Sequence, residues 1–362
     1  MSANRSGKRI LVLRYRFIGD TILTVPFLRN LRYAEPDAHI AWVVAPGSTD
    51  VVRDIPYVDE FIDWDPVTSF ADCRGKHRTW ADKYGFIQEL RAQHFDKVYV
   101  LKRSFSSAVI AWLTGARARI GFNTEARGFL LTRRVPYRND QHEVQNFLDV
   151  LRADGVPVLD DYLEAWLSDE EQAFAEQFFA ANGIAAGEPV IGIHPFAANQ
   201  SRAWHHDNFA EAANELQRRY GARIIVFGGR GDVELGQTLR ERITPEPVLA
   251  VGTTSLRQTM AIIARCNVML CNDSGIMHVT AALNTPLVAL FGPQSPVKFG
   301  PWGKRCKVLY SAFPCSPCKQ KFFEECSPSP RMKPQCMESI SVQQVLDAVE
   351  QFEGVSSLER RA

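Results

Sequence analysis

Asn267-Val-Met-Leu-Cys-Asn-Asp-Ser-Gly-Ile-Met-His278, continuing as Val279-Thr-Ala-Ala-Leu-Asn-Thr-Pro-Leu-Val-Ala-Leu-Phe-Gly-Pro293, reads as strand, tight turn, helix and strand. Val268 to Leu270 is a short apolar run of the kind buried on both faces in a parallel sheet. Asn272-Asp-Ser-Gly275 is a turn and N-cap cluster, so a helix starts there. Ile276, Val279, Ala282 and Leu283 recur at helical spacing. Asn284-Thr-Pro286 closes the helix, and Leu287 to Phe291 is the next buried strand. A turn between a parallel strand and a helix presents free backbone N–H groups and the positive end of the helix dipole, which suits an anion such as phosphate. Ser274 and Gly275 are small enough for a ligand to approach the backbone, and His278 falls where it can face the same ligand or fill the core.

Working outward, the same unit recurs. Lys8 to Arg14 is a strand, followed by a helical pattern through Ile22, Leu23, Phe27, Leu28 and Leu31, with Pro26 in its opening turns. Strands are expected at His39–Val44, Glu60–Trp64 and Phe95–Leu101, with helices over 80–93 and 105–113. Helices also follow over 141–154 and from a capped start at Leu167-Ser-Asp-Glu-Glu171 to Asn182-Gly183. Ala185-Ala-Gly-Glu-Pro189 is the best linker, and beyond it the alternation restarts with strands at Val190–His194 and Arg223–Phe227. Alternating strands and helices give parallel sheets covered on both faces. The expectation is two α/β, Rossmann-like doubly wound domains, 1–184 and 185–338, with a carboxyl-terminal helix and tail, 339–362, packing back towards the first. Ligands in such folds lie beyond the carboxyl ends of the strands.

Composition agrees with this size and excludes several classes. At 362 residues the chain exceeds one ordinary core. It is 46% hydrophobic and 23% charged with a formal net charge of +1, which argues against a nucleic-acid partner. No apolar run approaches a membrane span, and Ile10 to Leu13 is too short for a signal peptide, so a cytoplasmic protein is expected. Between Lys102 and Arg138 eight basic residues face one acid, Glu125. That stretch is either a solvated surface or a face for an anionic acceptor or a membrane.

Four of the eight cysteines cluster late: Cys315-Ser-Pro-Cys318, then Cys326 and Cys336, in a segment rich in Pro and Lys. Four thiols at this spacing suit a structural zinc, or iron; free thiols or redox pairs are the alternatives. A disulfide framework does not fit the expected compartment. Cys266 and Cys271 read as core residues.

Arg14-Tyr-Arg-Phe-Ile-Gly-Asp-Thr-Ile-Leu-Thr-Val-Pro26 resembles the amino-terminal signature of the bacterial heptosyltransferases, glycosyltransferase family nine. Pro195 to Trp204 is similar to the family's second-domain loop, Asn272–His278 with Leu287–Pro293 to its donor-binding signature, and Pro301-Trp-Gly303 also recurs there. The matches run in order from about Arg9 to Val345 and are specific only together. The resemblance implies a GT-B fold, two Rossmann-like domains facing across a cleft, with no metal needed for catalysis. It implies transfer of a heptose, with inversion, from an ADP-heptose donor to the lipopolysaccharide inner core. The acceptor is then an anionic glycolipid, met at the inner face of the cytoplasmic membrane.

Residue by residue, the resemblance gives Asp20 the general-base role; its place in a strand-to-helix turn is explained equally by a helix N-cap. Arg202 stands where the family usually has a Lys that binds the donor phosphates, which keeps the charge and changes the geometry. Asp273 matches an acid at the donor sugar, and Ser274 and Gly275 match the diphosphate turn. In Gly228-Gly-Arg-Gly-Asp-Val-Glu234 the resemblance implies an acid at the ribose, Glu234 in preference to Asp232. Two other readings remain. One is a same-fold glycosyltransferase acting on a protein or other glycan; the other is a non-catalytic sugar-nucleotide-binding module.

Overall fold

The computed structural model describes residues 7–65, 77, 79–318, 320 and 326–352. The first six residues of the basic start and the end of the tail, 353–362, lie outside the described residues. The chain divides into two compact units, Met1–Leu163 and Glu164–Ala362.

The first unit holds a sheet of β1 (Arg9–Leu13), β2 (His39–Val44), β3 (Glu60–Asp63), β4 (Lys97–Val100), β5 (Ala118–Phe122) and β6 (Arg133–Val135). Its order is β3-β2-β1-β4-β5-β6, parallel throughout. The second holds β7 (Val190–His194), β8 (Arg223–Gly228), β9 (Val248–Val251), β10 (Val268–Asn272), β11 (Leu287–Phe291) and β12 (Cys306–Tyr310), in the order β12-β11-β10-β7-β8-β9, again parallel. Each is a Rossmann-like doubly wound sheet, and the strand order reverses between β1 and β4 and between β7 and β10. Those reversals open crevices at the carboxyl ends of the strands.

The second sheet is covered on both faces. Val268, Leu270, Ile191 and Ile193 belong to one apolar cluster. Met269, Cys271, Val190 and Phe227 belong to the other. Alternate residues of one strand thus enter different cores, which is why these strands read as continuous apolar runs. Gly192 is needed here: a Cβ would strike the Met269 sulfur, and would lie 2.7 Å from the Phe227 ring.

One sequence expectation changes. The helix after β1 is two helices, Ile18–Leu23 and Val25–Ala34, meeting at Thr24. Pro26 has no N–H to give to the Ile22 carbonyl, so it sits in the first turn of a new helix instead of inside the old one. The helix Asp169–Ala181 belongs to the second unit, ahead of the linker expected at 185–189. It packs on the helix Leu256–Ala264, and Arg257 binds both oxygens of Glu171 at 2.5 Å. The last helix is Val342–Glu350. Val345, Leu346 and Val349 are buried with Phe209, Ala213 and Leu216 in the core of the second unit.

Candidate functional site

Both switch points carry charge. In the first unit β1 runs through Arg14 to Phe17 into the helix Ile18–Leu23, and Asp20 occupies its first turn. One Asp20 carboxylate oxygen accepts the Phe17 N–H at 3.0 Å, and the other meets the Arg14 guanidinium at 2.5 Å. Asp20 is therefore an N-terminal capping residue and an ion-pair partner at once. Arg14 is buried, with its guanidinium over the Phe147 ring. Across the crevice, just past β4, comes Lys102. Its backbone N–H bonds Leu13, and its ammonium lies 5.9 and 6.0 Å from the Tyr15 and Phe17 rings. Burial pushes the Lys102 pKa down to about 8; Arg14, Arg16 and Arg103 add to this, and Asp20 opposes it. Arg103 stacks on Tyr137 at 3.9 Å.

Several other arginines of the basic stretch are engaged within the first unit. Buried Arg127 donates to the carbonyls of Phe122, Lys102 and Ser104. Arg119 holds Leu130 and Ala116, Arg134 holds Gly128, and Arg138 pairs with Asp140. Arg119, Arg127 and Arg134 tie backbone together, whereas Lys102 lies within electrostatic reach of Asp20.

The second unit's crevice lies between β7 and β10. Fully buried Asn272 accepts from Trp204 N–H at 3.1 Å and donates to the Pro195 carbonyl at 2.8 Å, fastening the turn after β10 to the loop after β7. Ser274 caps the helix Gly275–Ala282 by position, but its side chain makes no cap hydrogen bond. The amino end of that helix therefore keeps backbone donors for a ligand. Ser274 Oγ is 3.5 Å from His194 Nδ1, at the end of β7. Burial pushes His194 down to about 4, which keeps its ring neutral at ordinary pH. Nothing in the residue pattern singled out His194, and Lys102 entered only as one member of the basic stretch; both stand at strand ends beside a switch point, and that position was the available signal.

Arg202 closes a short 3-10 turn, Gln200–Arg202, and its Nη1 lies 3.3 Å from Asp273 Oδ2 without hydrogen-bond geometry. Asp273 is only 7% exposed. Burial pushes its pKa up to about 6, against the attraction of Arg202. His278 is buried in the same helix. Beside them, past β8, Asp232 accepts the Gly229 N–H at 2.8 Å, so it is engaged in its own turn, whereas Glu234 is exposed. Arg202, Asp273, Ser274, Gly275, His278 and Glu234 thus all follow the carboxyl ends of three neighbouring strands, β10, β7 and β8.

The thiols stand differently. Cys315 is exposed, Cys318 and Cys326 half-buried and Cys336 buried. Burial pushes Cys336 up to about 11, and Cys326, Cys315 and Cys318 reinforce the shift, so the four lie within electrostatic reach of one another. Among the described residues no group of three or more His, Cys, Asp or Glu is arranged to hold a metal ion. Cys266 and Cys271 are core residues.

Two doubly wound units in one chain, each with its charged constellation at a switch point, are the GT-B arrangement of sugar-nucleotide enzymes. Residues 84–326 match the sequence model of glycosyltransferase family 9 (heptosyltransferase), and the chain belongs to that family: it is a glycosyltransferase. It is 29% identical over 317 residues to lipopolysaccharide heptosyltransferase 2 of Escherichia coli K12, covering 83% of this chain and 87% of that protein. Among solved structures, the family 9 glycosyl transferase of Veillonella parvula superposes with a TM-score of 0.84 at 27% identity over 100% of both chains. The E. coli ADP-heptose lps heptosyltransferase II gives 0.75 at 25% identity, over 98% of this chain and 99% of that one.

Asp273 yields a signed prediction. Its carboxyl binds a proton more tightly folded, at about 6, than unfolded, at about 3.9, so stability falls as pH rises through that interval and stays lower above it. Asp273→Asn removes the buried charge. The ligand-free variant should be more stable than the wild type by roughly 2 kcal/mol at pH 7.5, with the difference vanishing near pH 4. Urea unfolding at both pH values measures this, and equal stability at pH 7.5 would contradict it.

Proposed function

We propose that the protein is an inverting heptosyltransferase that moves a heptose from ADP-heptose to an anionic acceptor of the lipopolysaccharide inner core, with no metal in the chemical step. The observation that carries this reading is the turn after β10: an uncapped helix amino end beside Arg202, at the switch point of the second sheet. Such a site suits a diphosphate. The relatives named above supply the sugar and the acceptor.

In the transfer, Asp20 takes the proton of the acceptor hydroxyl as its oxygen attacks the anomeric carbon. The bond from that carbon to the diphosphate oxygen breaks, and ADP leaves with the electron pair. Arg202 and the backbone N–H groups of Ser274 and Gly275 balance the charge that develops on the leaving group. Asp273 and His278 face the donor, and Glu234 accepts from the ribose hydroxyls. Arg14 orients the Asp20 carboxylate. Lys102 and Arg103 give the acceptor's negative group a cationic seat beside the base. Asp20→Ala should lower transfer at least a thousandfold, in the range for lost acid–base catalysis, while ADP affinity stays within about tenfold. Nucleotide release across a panel of ADP-, UDP- and GDP-sugars is the direct assay. Retained turnover in Asp20→Ala removes the base; a preference for another donor overturns the sugar assignment.

The thiols of Cys315, Cys318, Cys326 and Cys336 would hold a structural zinc, or iron, as thiolates. Like charges crowded together raise one another's pKa, and a divalent cation reverses that penalty. Mass spectrometry under native conditions should show the chain plus one metal ion; the bare mass excludes it.

The enzyme works in the cytoplasm at the inner surface of the membrane. Among the described residues no helix is long and apolar enough to cross a membrane. The first unit exposes Trp80 (86%) and Tyr84 on one helix end, with half-buried Lys83 against the Trp80 ring, and Trp112 and Phe129 elsewhere. Aromatic rings beside basic groups suit a headgroup interface. The protein should co-sediment with phosphatidylglycerol vesicles at low salt, and Trp80→Ser should reduce the bound fraction. A protein that stays in the supernatant fails the expectation.

A further inference from the structure

Arg202 is held from two sides. Asp273 faces its Nη1, and on the other side its Nε donates to Gln320 Oε1 at 2.6 Å. Gln320 belongs to the cysteine-bearing segment, far along the chain from the crevice. That segment is fastened to the end of β11: Ser316 Oγ donates to the Gly292 carbonyl at 2.7 Å, and Cys318 N–H donates to the Pro293 carbonyl at 3.0 Å. Gly292 also lets Cys336 and Met337 pack there, since a Cβ would collide with the Met337 sulfur and lie 2.9 Å from Cys336 Sγ. Gln320 itself has φ +61°, a left-handed conformation that a glutamine keeps only when its surroundings impose it. Its N–H donates to Cys318 Sγ at 3.4 Å. The same segment grips the Arg202 turn a second time, through buried Lys333, whose ammonium donates to Gln200 Oε1 at 3.4 Å.

We propose that Gln320 is a positioning residue for the donor diphosphate, and that the cysteine-bearing segment is the strut that sets it. The proposal rests on the reading of Arg202 as the phosphate-binding cation. A free arginine side chain samples many rotamers; anchoring its Nε leaves Nη1 and Nη2 aimed in one direction. The anchor is a neutral amide oxygen, so it orients the guanidinium without neutralising it, as a carboxylate would. The Cys318 sulfur accepts the Gln320 N–H and so fixes the backbone from which that side chain reaches Arg202.

The test uses the full chain, ADP binding by calorimetry, and donor KM and kcat. Gln320→Met keeps length and volume but removes the acceptor oxygen. It should raise both the ADP Kd and the donor KM about tenfold, the scale of one charge-assisted hydrogen bond, with kcat at saturating donor within about twofold. Cys318→Ala should move the same two constants in the same direction. A Kd within about twofold of wild type for Gln320→Met, or a fall in kcat with KM unchanged, overturns the positioning role. An unshifted Kd in Cys318→Ala overturns the strut. Arg202→Ala separates the two levels: if it weakens ADP while Gln320→Met does not, only this inference falls, and if it too leaves ADP binding unchanged, the donor site is misassigned.

Discussion

One buried amide holds the second crevice in shape. Asn272 ends β10, has no exposed surface, and uses both ends of its side chain on the loop that follows β7. Those two strands are neighbours, but the chain leaves them in opposite directions, so nothing in the sheet itself fixes the distance between the turns above them. Asn272 fixes it. With an apolar residue in its place, the Pro195 carbonyl and the Trp204 N–H would both be buried without partners. Trp204 in turn donates through its indole to the Ile340 carbonyl at 2.9 Å, so the loop that carries Arg202 is held from above by Asn272 and from behind by the last turn before the final helix. Arg202, the turn at Ser274 and the cysteine-bearing segment are therefore parts of one braced unit.

The first crevice is built by other means. Its chemistry is concentrated in charges: Asp20, Arg14 and Lys102 come from the two strands that flank the reversal. A buried arginine beside a carboxylate needs fixed geometry, and Trp42 supplies part of it by donating its indole N–H to the Arg14 carbonyl at 3.1 Å. Arg127 supplies more, because its guanidinium gathers the carbonyls of Lys102 and Ser104 and so holds the turn after β4. Two solutions to one topological problem thus stand in the same chain, one through a neutral amide and one through ion pairs and buried guanidinium groups.

What the residue pattern exposed and what it hid follow from the same physics. Strands buried on both faces, such as β10 and β11, show as unbroken apolar runs, and the turn between them shows its Asn, Asp, Ser and Gly. β6 and β12 do not. Arg133-Arg134-Val135 is a sheet edge whose side chains are mostly exposed, and Cys306–Tyr310 is half-exposed along its length, so neither carries the apolar signal of a covered strand. The unit boundary was displaced for a related reason. The helix Asp169–Ala181 fully buries only Ala175 and Phe179, and these join the core of the second unit beside the Arg257–Glu171 pair, contacts between residues far apart in sequence. Residues quoted from contiguous motifs fall at strand ends beside the switch points. Partners delivered by another strand or loop, His194 and Gln320, carried no such signal, because only folding brings them near.

The charge arrangement at the turn after β10 is unfavourable by itself. Asp273 is an almost fully buried carboxylate, Arg202 sits beside it without a formed hydrogen bond, and burial outweighs the attraction. A core selected for stability alone would replace such a pair with apolar groups. On the reading of this turn as the donor site, a diphosphate would bring negative charge for Arg202 to meet, and Asp273 would be left to hydroxyl donors on the ligand. Gln320 accepts from the Arg202 Nε at 2.6 Å and so holds the guanidinium back from Asp273.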